Sequence, residues 1–106
     1  MASSRDNILE REVEEYLTAE IEKLGGKCFK FIPDYARGMP DRLVCLPHGI
    51  SVWVETKRPE GGKLSAAQKL RHVELRRLGQ VVEIAWSRED VDGIVGRYCN
   101  QDFPAV

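Results

Sequence analysis

No stretch of this 106-residue chain approaches the roughly 18 to 20 consecutive apolar residues of a membrane-spanning helix, and the polar N-terminus lacks the apolar core of a secretory signal. Neither a membrane protein nor an exported one is expected. Cysteine is scarce: Cys28, Cys45 and Cys99 are odd in number and lie in or beside apolar segments, which argues against a disulfide framework and for reduced, buried thiols in a cytoplasmic setting. Cys45 and His48 form a lone C-x-x-H, and Cys28, Cys99 and His72 add no matching pair, so a structural zinc site is not expected. The glycines of residues 58–63 are too few and out of register for a nucleotide-binding fingerprint, so no nucleotide cofactor is expected. Internal repeats and low-complexity segments are missing as well.

A positive excess is also lacking, since the formal net charge is −1, and a binder of nucleic acid usually carries one. The distribution alters that conclusion. Residues 57–80 hold seven basic side chains against two acidic ones, whereas residues 1–26 hold three basic against seven acidic. Phosphate would be met by the second of these segments, and the acidic one would face away or supply a metal ligand.

What is present is the composition of one folded domain: 42% apolar and 31% charged residues in a length that can bury one modest core. The spacing of Leu9, Val13, Tyr16, Leu17, Ile21 and Leu24 predicts an amphipathic helix capped by Ser3 or Ser4 and stopped by Gly25-Gly26. Lys27 to Ile32 alternates as a first strand, with Cys28 or Phe29 and Phe31 partly buried. Asp41–Leu46 and Ser51–Lys57 predict two further strands joined by a turn over residues 47–50, with an exposed His48. Ser65 opens a second helix whose apolar side is Leu70, Val73, Leu75 and Leu78, and Gly79 ends it. Residues 81–86 predict a fourth strand, which the intervening helix places parallel to a neighbour. Ser87 caps a last helix to about Tyr98, with Asp90 at its third position and Val91, Ile94 and Val95 inward. The expected architecture is α/β, a mixed central sheet flanked by helices in the order αβββαβα, with a core over about residues 5–98 and a tail over 99–106.

Within that order, Gly38-Met39-Pro40-Asp41-Arg42 and Trp53-Val54-Glu55-Thr56-Lys57 concentrate the chemistry. A hairpin between them brings Asp41 beside Glu55, and residues two apart on a strand share a face, so Lys57 projects with Glu55. Both acids stand at the ends of apolar strands, where unpaired charge is costly. Two carboxylates and the Thr56 carbonyl suit a hard divalent cation such as magnesium. A lysine alongside can stabilise developing negative charge, which suits phosphodiester hydrolysis. Phosphate contacts are expected from Arg37 in the loop before Asp41, from Arg42, from Arg58 and Lys63 in the glycine-containing loop, and from Lys69. His72 lies one turn beyond Gln68, and a packing or surface role is expected for it.

The series G-M-P-D-R, then E-T-K, then Gln68 opening a helix, preceded by a glutamate-bearing helix, resembles the VRR-NUC family of the PD-(D/E)xK nuclease superfamily, in its short standalone viral and bacterial form. The resemblance runs from about Glu10 to about Asp92. It implies a restriction-endonuclease-like core and a magnesium- or manganese-dependent DNA endonuclease. Asp41, Glu55 and Thr56 would then hold the metal, with a first-helix glutamate completing the set. Glu14, at the edge of the apolar stripe, matches the family position, and Glu10 one turn earlier is the other candidate. Lys57 would act in the chemistry. Gln68 would orient water or phosphate; its place three residues after Ser65 equally fits a capping box. The small size of the domain, together with the likeness to junction resolvases, implies a homodimer acting on branched DNA such as four-way (Holliday) junctions, with Trp53, Trp86, Tyr98 and Phe103 as candidate anchors. A binding module of the same fold without catalysis is the alternative; it would lack an acid or the lysine, and here none is missing.

Overall fold

A computed structural model describes residues 9–32 and 36–99 of the chain. Helix α1 spans Glu10–Lys23, followed by strands β1 (Lys27–Lys30) and β2 (Arg42–Leu46), a short 3-10 turn (Pro47–Gly49), and β3 (Ile50–Thr56). Helix α2 (Ala66–Arg77), strand β4 (Val82–Ala85) and helix α3 (Arg88–Cys99) complete the order. The expected α/β succession is therefore observed, with element boundaries differing from the expected ones. The caps expected at Ser3 or Ser4 and the tail after Cys99 lie outside the described residues, and α1 begins instead after an extended Leu9.

The four strands lie in the order β1-β2-β3-β4, antiparallel across the first three and parallel between β3 and β4. The hairpin register sets Arg42 opposite Val54, which leaves Asp41 beside the Glu55–Thr56 end of β3. The turn is made by His48 and Gly49, both with positive φ. On one face of the sheet Val44, Val52 and Val54 join Val13, Leu17 and Ile21 of α1 and Val91 and Ile94 of α3 in the core. At the start of α3, Ser87 Oγ accepts from Asp90 N at 3.1 Å and Asp90 Oδ2 accepts from Trp86 N at 2.9 Å.

Helix α2 lies against the other face, and here the expected pattern fails. Leu70, Val73 and Leu78 are 73%, 44% and 71% exposed, while the buried residue of the helix is His72, 1% exposed. The rotation of α2 follows its polar contacts with β3 and β4: Gln68 reaches Glu55, and Arg76 Nη2 donates to the Val82 carbonyl at 3.0 Å. Residues 68, 72 and 76 share one helical face, and that face is the one turned to the sheet.

Candidate active site

Three elements meet at the carboxyl end of β3. The apolar stripe of α1 points Val13 and Leu17 into the core, and Glu10 and Glu14, one turn apart, emerge at its edge toward Asp41. Carboxylate oxygens of Glu10, Glu14 and Asp41 all lie within 4.8 Å of one another. The structure brings both candidate glutamates, Glu10 and Glu14, to Asp41.

Thr56 organises this group through its hydroxyl and its amide. Its Oγ1 is 2.9 Å from Asp41 Oδ2 and 3.3 Å from Glu14 Oε1, and its N–H donates to Asp41 Oδ1 at 3.2 Å. The role of the threonine side chain escaped the sequence reading, which assigned only its carbonyl. Arg42, from which a phosphate contact is expected, is engaged within the protein: its Nη2 donates to Glu14 Oε2 at 3.0 Å, with the side chain only 13% exposed. As placed, its charge neutralises a site carboxylate and is turned away from solvent.

Glu55, 3% exposed, stands beside the group, on the α2 side of the sheet. Gln68 Nε2 donates to Glu55 Oε2 at 3.1 Å, and Lys57 Nζ lies 4.0 Å from the same oxygen. Gln68 serves two purposes at once. Its Oε1 accepts from Ser65 N at 2.8 Å and its N–H donates to Ser65 Oγ at 3.1 Å, so the capping box holds the amide where it can reach Glu55. His72 approaches the remaining oxygen of Glu55, and no signal in the sequence other than its i+4 spacing from Gln68 pointed there.

The electrostatics are those of crowded, buried acids. Burial, followed by the Asp41 charge, pushes the Glu55 carboxyl up to about 8. Asp41 is raised by burial despite its bonds from Thr56, and Glu10 is raised by burial, then by Asp41 and Glu14. Burial lowers His72. A cluster of hard oxygen donors that is costly to ionise, next to a buried Glu55 Oε1 with no hydrogen-bond partner, suits a small divalent cation as counter-charge. Glu10, Glu14 and Asp41 are the side chains whose carboxylates converge closely enough to hold it, with Glu55 beside them.

The basic residues are distributed around α2 and its approach. Arg58, Lys63 and Lys69 are exposed along the β3–α2 connection and the first turn of the helix. Arg37 is exposed, and its carbonyl accepts from Arg71 Nε at 3.0 Å, which ties the loop before Asp41 to α2.

No family model matches the sequence. A curated relative, "Putative nuclease p44" of Acyrthosiphon pisum secondary endosymbiont phage 1, is 40% identical over 88 residues, 83% of this chain and 92% of the relative. A solved structure described as a VRR_NUC domain superposes with a TM-score of 0.79 at 34% identity, over 84% of this chain and 96% of that one. Likeness at this level over nearly the full length of both relatives, with the acids and the lysine of the site in place, means that the chain belongs to the VRR-NUC nuclease family.

Proposed function

We propose that this chain is a divalent-metal-dependent DNA endonuclease, using magnesium or manganese, that prefers branched DNA such as a four-way junction and works as a homodimer. The observation that carries the reading is the convergence of Glu10, Glu14 and Asp41 within 4.8 Å, beside the buried Glu55 and Lys57. Glu10, Glu14, Asp41 and Glu55 hold the cation, whose chemistry when bound is to polarise the scissile phosphate and strengthen water as a nucleophile. Lys57 stabilises the charge that develops on the phosphate. Gln68 orients the Glu55 carboxylate. Arg37 from the loop before Asp41, Arg58 and Lys63 from the β3–α2 connection and Lys69 from the first turn of α2 contact the DNA backbone. Arg42 acts through Glu14 in this reading.

The dimer reading draws on the outward stripe of α2. Leu70, Val73 and Leu78 form an exposed apolar strip interrupted by Glu74 and Arg77, and an antiparallel copy of the same helix would set Glu74 against Arg77. A two-fold dimer would supply two sites to a junction of matching symmetry. The test is cleavage of end-labelled four-way and linear DNA by the purified protein, with its mass followed by light scattering. Cutting with magnesium or manganese, little with calcium, faster turnover of the junction and a dimer mass are expected. Equal rates in calcium and magnesium would defeat the metal mechanism, since calcium takes more ligands in looser geometry. A monomer that cuts both DNAs equally would defeat the junction reading.

A further inference from the structure

His72 is buried while Leu70, Val73 and Leu78 of its own helix are exposed and Leu75 is half-buried. It is 1% exposed, whereas Leu70 and Leu78 are more than two-thirds exposed. Core packing does not explain such an arrangement, because an amphipathic helix left to apolar burial turns its leucines inward. Neither ring nitrogen has a hydrogen-bond partner among the described residues, and the same holds for Oε1 of Glu55. Buried polar atoms in that state are costly and few in native proteins. The two unpartnered groups face each other, His72 Nε2 lying 3.5 Å from Glu55 Oε1. One helical turn earlier, Gln68 Nε2 donates to the other oxygen, Oε2, at 3.1 Å.

We propose that His72 is a positioning residue for Glu55: with Gln68 on Oε2 and His72 on Oε1, α2 sets the direction in which this carboxylate meets a divalent cation. The proposal rests on the metal-dependent reading given above. An imidazole carries at least one N–H in either protonation state, so it can donate to a carboxylate oxygen. A shift of a few tenths of an ångström brings 3.5 Å into hydrogen-bond range. The i, i+4 spacing of Gln68 and His72 supplies the geometry, since such residues stand one above the other on a helix face. Side chains that orient a metal-holding group typically alter affinity by about ten- to a hundredfold when removed.

The test compares wild type with His72→Leu and His72→Gln, measuring Mn2+ binding by calorimetry without DNA and thermal melting alongside. The leucine variant keeps an apolar side chain of similar size and loses the donor; the glutamine variant keeps an N–H at comparable reach. The expected result is Mn2+ binding about ten- to a hundredfold weaker in His72→Leu at a melting temperature near wild type, with His72→Gln recovering most of the affinity. Equal Mn2+ affinity in wild type and the leucine variant overturns the positioning role and leaves the metal reading standing. A wild type that binds no Mn2+ overturns the metal reading itself. Should the leucine variant fail to fold, the imidazole nitrogen resonances of the wild type decide the matter. A shift of the His72 Nε2 signal on adding Mg2+ supports the contact, and a signal unmoved by saturating Mg2+ overturns it.

Discussion

Glu55, buried near the end of β3, and Asp41, half-buried just before β2, are neighbouring acids, and the surroundings of each make their removal unlike. Asp41 accepts two hydrogen bonds from Thr56, one of them from a fully buried backbone N–H. Asp41→Ala therefore orphans that donor, at about 1–3 kcal/mol, while it relieves repulsion with Glu10 and Glu14. Glu55 is held in its neutral form up to about pH 8 by burial and the Asp41 charge. Glu55→Gln preserves shape and the acceptor for Gln68 and removes the charge. It is expected to raise the melting temperature of the metal-free protein at pH 8.5 by at least about 4 °C, the equivalent of ~1 kcal/mol in a domain of this size, while abolishing cleavage. Thermal melts of the two variants with and without Mg2+ check this. A glutamine variant that melts below wild type in the absence of metal would contradict it.

At the scale of elements, the loop before Asp41 and the first turn of α2 approach closely at Gly38. Gly38 has φ +81, and a Cβ placed on it would lie 2.2 Å from the Ala67 carbonyl oxygen and 2.9 Å from Gln68 N. Both atoms are backbone, so neither can give way without moving the helix. Gly38→Ala combines a left-handed backbone strain of about 1–2 kcal/mol with that overlap. We expect it to lower stability by about 2 kcal/mol or more and to reduce cleavage further than stability alone explains, because the displaced loop carries Pro40 and Asp41 with it. Urea denaturation and turnover under conditions where the variant is folded provide the check; a wild-type midpoint would show that the loop stands away from the helix. The order of elements, the hairpin that pairs Asp41 with Glu55 and the cap of α3 were legible in the sequence, because periodicity, turn residues and capping residues are local signals. The orientation of α2 was not. Its leucines imitate a buried stripe, and only the presence of Glu55 opposite Gln68 and His72 shows why the helix turns the other way.

For the whole molecule, the acidic first helix and the basic segment 57–80 meet at the site, with Glu55 and Lys57 at the boundary. No helix among the described residues is long and apolar enough to cross a membrane. The pH dependence of the metal-free protein follows from the raised acids. Glu55 binds its proton in the folded state up to about pH 8 but loses it from the ordinary glutamate value of 4.5 in the unfolded chain, so this group's contribution falls as pH rises between those values. Asp41 and Glu10, also raised, act in the same sense above the ordinary carboxylate range. His72, lowered from 6.5, opposes them only below that pH. Between pH 6.5 and 8 the metal-free melting temperature is therefore expected to fall. A divalent cation binds the ionised acids, so Mg2+ should raise the melting temperature more at pH 8 than at pH 6.5, and a chelator should reverse the gain. Melting curves across this range with Mg2+ or chelator test it, and an Mg2+ effect independent of pH would count against the acids as its binding site.

The candidate site residues Asp41, Glu55 and Lys57, the strands that hold them, and the parallel return of β4 were legible in the chain alone. Each depends on residues near in sequence or on the handedness that any strand-helix-strand connection must obey. Tertiary structure decided the rest: that Glu10 and Glu14 both reach Asp41, that Arg42 neutralises Glu14, that the Thr56 hydroxyl joins two acids, and that a histidine takes the buried side of α2. These depend on distances between residues far apart in the chain, which the angle of a helix across a sheet sets and no local pattern encodes.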